Sequence, residues 1–536
     1  MKHIELFAGC GGLGIGMKSA GFKLILANEI SPMAAETFAY NLLKEDLNSG
    51  NISHTFWLKS KYIKNNPLRL RENYQNTALL TSEETFSDIQ KISDLKKLKG
   101  GLMVGGIQDL NSQIIKQPEL CKEISNSFGA GKVDLVSGGP PCQSFSMAGL
   151  REHSSKKNQL PWDFAKFCGY IKPRMILLEN VTGILRAFKV NGKSYHAWFE
   201  AAKAFAIQDS GYVPICLHIN AKFVGTAQNR PRFIMLCFEA SLAKKILSKG
   251  DLGINGRKAF LKSLEFMEKI QKKEKCEYDP DFYYDLNKQH PLFGEWPFNL
   301  LTKNPFTGKE QGATVAHAIE DIKNTKLITK PSNYVKTINK LSKSLNTLST
   351  YTKGIPANHE LRSNNLRVKA RFNLYQVMSK IIDNSITSDL KRFIKDPESN
   401  QLSNQTFNYL KSTKFLTDTG EIKLFQSKES FEIFLISIRT KKQTQRALMA
   451  DSPAPAALSI PDDTCHYDKE QLRTLTVREM ARFQSFPDKF EFRSKITTGG
   501  KMRRFEVPQY TQVGNAVPPI LAKALGEVCK EFLLLK

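Results

Sequence analysis

Apolar residues in this chain gather into short runs, each followed by a polar or glycine-rich turn. His3–Phe7 predicts a first strand, glycines at 9, 11, 12, 14 and 16 shape the turn, and Gly12–Ala20 predicts a helix. Lys23–Ala27 predicts a second strand ending in Asn28-Glu29, and 31–41 the helix behind it. Val133–Val136, Met175–Leu178 and Phe233–Phe238 are further apolar runs. Such runs are too short for helices of their own and suit strands buried on both faces. Strands alternating with helices predict an α/β fold around a mostly parallel sheet with helices on both faces. Near the other end, Thr476 and Glu479 form a Thr-x-x-Glu capping box opening a helix, with Met480, Ala481 and Phe483 as buried candidates and Phe486-Pro487-Asp488 closing it. A last helix is predicted from Ile520 to about Leu533.

Ligands of open α/β sheets bind beyond the carboxyl ends of the strands. The glycine turn after the first strand lets a nucleotide-like ligand approach the backbone, and Glu29 is placed to accept hydrogen bonds from ribose hydroxyls. The plain alternative for Glu29 is a solvated carboxylate. Glu179, at the end of the Met175 run, is either a general acid/base or a capping carboxylate. Arg230 and Arg232, two apart, share a face of a strand. They are either a solvated strand start or two guanidiniums aimed at a carbonyl or phosphate. The stretch GGPPCQSFSMAG at 138–149 sets Cys142 behind two glycines and two prolines. Glycine permits tight backbone geometry there, while proline fixes φ and removes two donors. A lone cysteine is usually a small buried apolar residue. This rigid frame, with the polar loop residues Gln143, Ser144 and Ser146 behind it, instead reads as presenting a nucleophile.

These segments together resemble the DNA (cytosine-5)-methyltransferases, in particular the bacterial, Dcm-like restriction–modification type. ELFAGCGG at 5–12, ANEI at 27–30, GGPPCQSFS at 138–146, ENV at 179–181, QNRPR at 228–232, RTLTVREMARFQSFPD at 473–488 and QVGNAVPP at 512–519 follow the order of the family's motifs. The resemblance spans both ends of the chain; the middle, roughly 245–450, shares only length and variability. It implies a class I S-adenosylmethionine-dependent methyltransferase fold, Rossmann-like, with a smaller mixed target-recognition domain. The implied divisions are 1–240 for catalysis and cofactor, with an insertion inside 31–104, 241–472 for target recognition, 473–504 for a hinge helix and connection, and 505–536 returning to the catalytic domain.

The resemblance also implies roles. Cys142 is the nucleophile that adds to carbon 6 of cytosine, and a thiolate suits this because it attacks readily and leaves again. Glu179 holds ring nitrogen 3, Arg232 contacts the base carbonyl with Gln228 and Arg230 in support, and Asn180 orients the Pro140-Pro141 loop. Gln143, Ser144 and Ser146 would contact DNA around a flipped-out base. For S-adenosylmethionine, Phe7 packs on the adenine, Glu29 binds the ribose, and Gly9, Gly11, Gly12 and Leu13 line the methionine part. Ile107, Leu160, Asn515 and Val517 complete the pocket. No metal is implied. One departure stands out: the family's Gly-Asp-Ile motif, whose Asp contacts the adenine amine, reads Gly105-Gly106-Ile107-Gln108-Asp109 here. Either Asp109 substitutes or the contact comes from backbone.

The chain has 536 residues, 78 Lys+Arg against 52 Asp+Glu, and a formal net charge of +26. Such a balance favours a polyanionic partner and salt-dependent binding. Abundant Lys, Asn, Ile and Ser also fits an AT-rich coding sequence, which raises Lys without function. Residues 241–450 hold 36 Lys+Arg and 21 Asp+Glu, with Phe282, Tyr283, Tyr284, Trp296, Phe298, Phe372 and Tyr375 interleaved, as expected of a DNA-reading region. The Lys-rich remainder of 31–104 is either surface decoration or a DNA contact. Nine cysteines without a CxxC pair signal neither a disulfide framework nor a zinc site. The first motif lies close to Met1, so neither a signal peptide nor an amino-terminal regulatory domain is expected. No run approaches a membrane span. The expected setting is the bacterial cytoplasm, acting as a monomer on double-stranded DNA and paired with a restriction endonuclease. A tRNA cytosine methyltransferase and a catalytically inactive DNA-binding module are the alternatives. The long basic interval argues against the first, and the presence of Cys142 and Glu179 against the second.

Overall fold

The computed structural model describes all residues except 51, 73–84, 92–93, 142–158, 191–192, 307–311, 325–328, 441–444, 457–463, 501, 503–504 and 536. Cys142, Gln143, Ser144 and Ser146 therefore lie outside the described residues. The apolar runs become the strands of one nine-stranded sheet: β1 Lys2–Leu6, β2 Lys23–Glu29, β3 Thr55–Trp57, β4 Gly101–Val104, β5 Leu135–Gly138, β6 Met175–Val181, β7 Tyr212–Asn220, β8 Pro231–Glu239 and β9 Tyr283–Asp285. Their order is β9-β7-β8-β6-β5-β1-β2-β4-β3. β8 runs antiparallel to both neighbours, β6 and β7, and the other pairings are parallel.

Crossover handedness sets the layers. α1 (Gly12–Ser19) leads from β1 outward to β2, whereas α3 (Ile107–Lys116) leads from β4 back across to β5. Right-handed crossovers in opposite directions put their helices on opposite faces. α5 (Leu160–Ile171) and α6 (Ala197–Ala206) continue in α3's direction and share its face, packing α3 on α5 and α5 on α6. α4 (Pro118–Ser125) fits between α3 and α5. On the other face α1 packs along α17 (Pro519–Leu534). Gly16 permits that closeness, since a Cβ there would lie 2.3 Å from Ala522 Cβ.

The sheet lobe's core extends past residue 240, unlike the boundary expected from sequence. α7 (Ala240–Lys249) and α8 (Ile254–Gln271) follow β8, β9 adds an edge strand beside β7, and Leu242 through Leu301 contribute buried side chains to the same core as β1 and β6. Phe282 and Phe298 are part of this core, and Trp296 packs against Phe532 of α17. These rings fill the core rather than standing free to stack on bases. Further along, Phe372 is buried against Ala447 and Cys465.

The 31–104 interval also contributes to the sheet, through β3 and β4. Its α2 (Pro32–Phe38) starts with Ser31 as cap and Pro32 at the first position. Trp57 of β3 is buried, and the Arg69 guanidinium lies 5.2 Å from its ring while pairing with Asp88 at 2.8 Å.

A second core gathers α9 (Val315–Ile319), α10 (Asn333–Asn339) and the 475–492 stretch, and reaches Ile15 of α1. A third, separate core is helical. It comprises α11 (Leu366–Met378), α12 (Asn384–Lys395), α13 (Asn404–Leu410) and α14 (Lys428–Ser437) with a short hairpin at 415–423. Among the described residues no helix is long and apolar enough to cross a membrane.

The predicted capping box is present at α15 (Val477–Phe483). Thr476 Oγ1 accepts from Glu479 N at 3.1 Å, and Glu479 Oε2 accepts from Thr476 N at 2.8 Å. The same carboxylate takes Arg473 through two nitrogens at 2.7 and 2.9 Å; burial pushes its pKa up, but the Arg473 guanidinium outweighs that and holds it at about 2. α16 (Gln509–Asn515) follows and feeds α17.

Candidate active site

The parallel strands bring their carboxyl ends into one row: Phe7 after β1, Glu29 at β2, Gly105-Gly106 after β4, Gly139-Pro140 after β5 and Glu179-Asn180 in β6. β8 begins at this same end because it runs the other way, and Arg232 pairs with Val181 while Ile234 pairs with Glu179. Arg232 and Glu179 are therefore diagonal neighbours on one face. Arg232 Nε stands 2.7 Å from Glu179 Oε1, both side chains being nearly buried. Burial pulls the Arg232 pKa down, and the Glu179 charge opposes that pull.

The turn toward Cys142 is built against this pair. A Cβ at Gly139 would lie 2.9 Å from Glu179 Oε2, so only glycine lets the strand end pass so close to the carboxylate. Asn180 Nδ2 donates to the Pro140 carbonyl at 3.0 Å, and Asn180 Oδ1 accepts from Val181 N at 2.8 Å. The residues expected to orient the loop and to hold the base thus converge on the base of GGPPC.

Arg230 takes a different position from Arg232. It lies just before β8, fully buried, and its guanidinium donates to the carbonyls of Gly514 and Ala516, each at 2.8 Å. Rather than pairing with Arg232 toward a substrate, it ties the carboxy-terminal segment to the strand. Burial, then the neighbouring Arg232 charge, lowers its pKa strongly. Gln228 is buried, and neither polar atom of its amide has a partner among the described residues.

The cofactor candidates assemble from both ends of the chain. Phe7 adopts φ +54, and its ring meets Phe164 edge-on at 6.1 Å. Glu29 Oε2 accepts from Gly9 N at 2.8 Å and Oε1 from Ser31 N at 2.7 Å, so the glycine turn and carboxylate fix each other. Burial raises the Glu29 pKa. Gly11 caps α1 with φ +96, a conformation that favours glycine. A Cβ at Gly12 would lie 2.4 Å from the Val517 carbonyl, which makes the amino-terminal turn and QVGNAVPP direct neighbours. Leu13 and Ile107 are core residues, Leu160 and Phe7 are half-buried against that core, and Asn515 is exposed. Asp109 Oδ2 accepts from Gly106 N at 3.3 Å, capping α3.

Three residues were not among the sequence candidates. Glu5 is buried beneath α1, with Oε1 accepting from Gly14 N at 3.1 Å, and burial pushes its carboxyl up to about 8. Its place in ELFAGCGG was the available signal. Gln108 and Asp163 join α3 to α5 through Gln108 Nε2 to Asp163 Oδ2 at 2.6 Å, and no motif marks them. The described residues contain no group of three or more His, Cys, Asp or Glu arranged to hold a metal ion.

Fold and strand-end row define a class I methyltransferase: a mostly parallel sheet with a glycine turn and a buried acid at its first two strands, and an antiparallel strand beside β6. The sequence profile of the C-5 cytosine-specific DNA methylases matches residues 1–65 and 107–531, and the chain belongs to that family. It is a DNA (cytosine-5)-methyltransferase. The type II methyltransferase M.DdeI of Desulfomicrobium norvegicum is 24% identical over 98% of this chain and 88% of its own. M.AgeI of Thalassovita gelatinovora is 24% identical over 99% of both chains. Among solved structures, the S. pombe Dnmt2 methyltransferase is 12% identical with a TM-score of 0.38, covering 100% of this chain and 98% of that one. The family match omits 66–106, the later part of the interval read as an insertion.

Proposed function

We propose that the enzyme methylates carbon 5 of a cytosine flipped out of double-stranded DNA, protecting a site cut by a partner restriction endonuclease. The observation that carries the chemistry is the buried Glu179–Arg232 pair seated against Gly139 at the start of the GGPPC turn. The Cys142 thiolate adds to carbon 6, and the electron pair displaced from the ring double bond enriches carbon 5. Arg232 neutralises charge building on the base carbonyl, while Glu179 holds ring nitrogen 3 through a proton. After transfer the carbon 5 proton departs to solvent, the Sγ–carbon 6 bond breaks, and the ring double bond re-forms with free thiolate. S-adenosylmethionine, the methyl donor, would supply an electrophilic methyl group when bound, its S–CH3 bond breaking with the electron pair left on the sulfur of S-adenosylhomocysteine.

The strand-end row suits that donor. Glu29 is fixed by two backbone donors and keeps lone pairs for ribose hydroxyls, Phe7 offers a half-buried ring, and the glycine turn admits close approach. Flipping the base costs a few kcal/mol of unstacking. The basic region beyond residue 302, including the helical third core, supplies the compensating DNA contacts and chooses the site.

The test is covalent capture. Wild type incubated with S-adenosylmethionine and DNA carrying 5-fluorocytosine should form a stable adduct at Cys142, because fluorine blocks the elimination. Cys142→Ser should form none and transfer no methyl group, yet still bind the DNA. An adduct mapped to another cysteine, or methyl transfer by the serine variant, overturns the assignment. Methylation of tRNA in place of duplex DNA overturns the substrate.

A further inference from the structure

β4 lies beside β2 and Gly105 N donates to the Glu29 carbonyl at 2.9 Å, so a base attached to a ribose at Glu29 has within reach the β4 tip, Gly105-Gly106-Ile107-Gln108-Asp109. Position 106 has no side chain to meet that base. The space is nevertheless furnished: a Cβ built on Gly106 would lie 3.1 Å from Asp109 Oδ2 and 3.3 Å from Gln108 Oε1.

These two oxygens differ in what they are free to do. Asp109 Oδ2 accepts from Gly106 N and closes the first turn of α3. Gln108 is exposed, and its amide is held from its other end, with Nε2 2.6 Å from Asp163 Oδ2. An ionised carboxylate only accepts, so only the NH2 end of the amide can face it. That contact settles the orientation of the amide and turns Oε1 outward as an acceptor. Asp163 is itself fixed: it lies nearly buried on α5, and its backbone carbonyl accepts from Asn111 Nδ2 of α3 at 3.0 Å.

We propose that Gln108 Oε1 accepts the exocyclic amine of the adenine ring of S-adenosylmethionine, with Asp163 as the positioning residue that sets the amide. This deepens the donor reading above and rests on it. A purine with an amine at carbon 6 offers this carbonyl a donor. A 6-oxo purine sets oxygen against oxygen, so the site discriminates between the two.

The experiment is calorimetric titration of the full-length protein with S-adenosylhomocysteine and with its deaminated counterpart, S-inosylhomocysteine. Wild type should prefer the adenosyl ligand. Gln108→Ala should weaken S-adenosylhomocysteine roughly 3- to 10-fold, the scale of one neutral hydrogen bond, and leave S-inosylhomocysteine nearly unchanged, so that the preference shrinks. Asp163→Asn, which lets the amide turn either way, should shrink the preference in the same direction. Asp109→Ala should move both ligands together and keep the preference. A preference unchanged in Gln108→Ala, or one abolished by Asp109→Ala, overturns the proposal while leaving the donor reading intact. Failure of wild type to bind either ligand overturns the donor reading and this proposal with it.

Discussion

Arg482→Met is the substitution whose cost is set most directly by contacts between segments distant in the chain. Arg482 is nearly buried on α15. Its Nε and Nη2 hold both Asp488 oxygens at 2.8 Å, and Nη1 holds Asp321 Oδ1 at 2.6 Å and the Ala318 carbonyl at 3.1 Å. Methionine roughly fills the aliphatic space but leaves two buried carboxylates without their cation. Breaking a buried pair from one side costs about 3–5 kcal/mol, chiefly because the remaining charge is stranded. The same reasoning fixes the pH dependence. In wild type Arg482 holds the Asp488 carboxyl below its ordinary value of 3.8 against burial, so that contribution is complete above pH 3.8 and fades as acid is added. Without the arginine, burial dominates, the folded pKa rises above the unfolded one, and the penalty is greatest at neutral pH and eases as pH falls. Urea unfolding followed by tryptophan fluorescence at pH 7 and pH 4.5 should show the gap to wild type narrowing in acid. Adding Asp321→Asn and Asp488→Asn to Arg482→Met should restore more than half the loss at pH 7. A loss below about 1 kcal/mol, a gap equal at both pH values, or a triple variant no better than the single one refutes the stranded-charge account.

Arg230→Ala, which removes both 2.8 Å bonds to the Gly514 and Ala516 carbonyls, should cost about 2–4 kcal/mol and speed proteolysis near 505–518, read by mass spectrometry of the fragments. Glu179→Gln should lower kcat by roughly 10²–10⁴-fold and, by leaving the buried Arg232 guanidinium without its carboxylate, should also lower the melting temperature, measured by tritiated methyl transfer and calorimetry. His466 is buried, and burial takes its pKa from 6.5 down to about 4. Stability is then complete above pH 6.5 and declines as pH falls toward 4, by on the order of 3 kcal/mol, and His466→Gln should flatten the denaturation profile across that window.

The sheet was legible because strands buried on both faces must be written as continuous apolar runs, and β1, β2, β5, β6 and β8 are so written. β3 and β9 were not, being three-residue edge strands without a run to see. The Thr476–Glu479 capping box was readable because both partners lie within one turn. Its bond to Arg473 was not marked by any pattern. The aromatics at 282–298 suggested a stacking surface by type alone, and burial depends on neighbours such as Trp198 and Phe532 that sequence spacing does not reveal. The two arginines of QNRPR look equivalent in sequence. They separate in space because Arg232 belongs to β8 and faces β6, whereas Arg230 precedes it and meets a turn nearly 290 residues further on. Gln108 carries no signal in the sequence because its meaning depends on Asp163, 55 residues away.

The meeting of the glycine turn with the carboxy-terminal segment has a consequence for biosynthesis. Cys10 Sγ lies 3.8 Å from the Gln512 carbonyl, 502 residues later in the chain. During translation, at roughly 5–20 residues per second, the first turn emerges roughly 25–100 s before the residues that cover it. α1, whose packing partner α17 is made roughly 500 residues later, spends that interval with its inner face open. The site proposed for the donor therefore cannot close before the 512–519 segment has been made, and methyl transfer waits for that segment. Until then the exposed face of α1 depends on chaperones or on transient contacts with the growing chain.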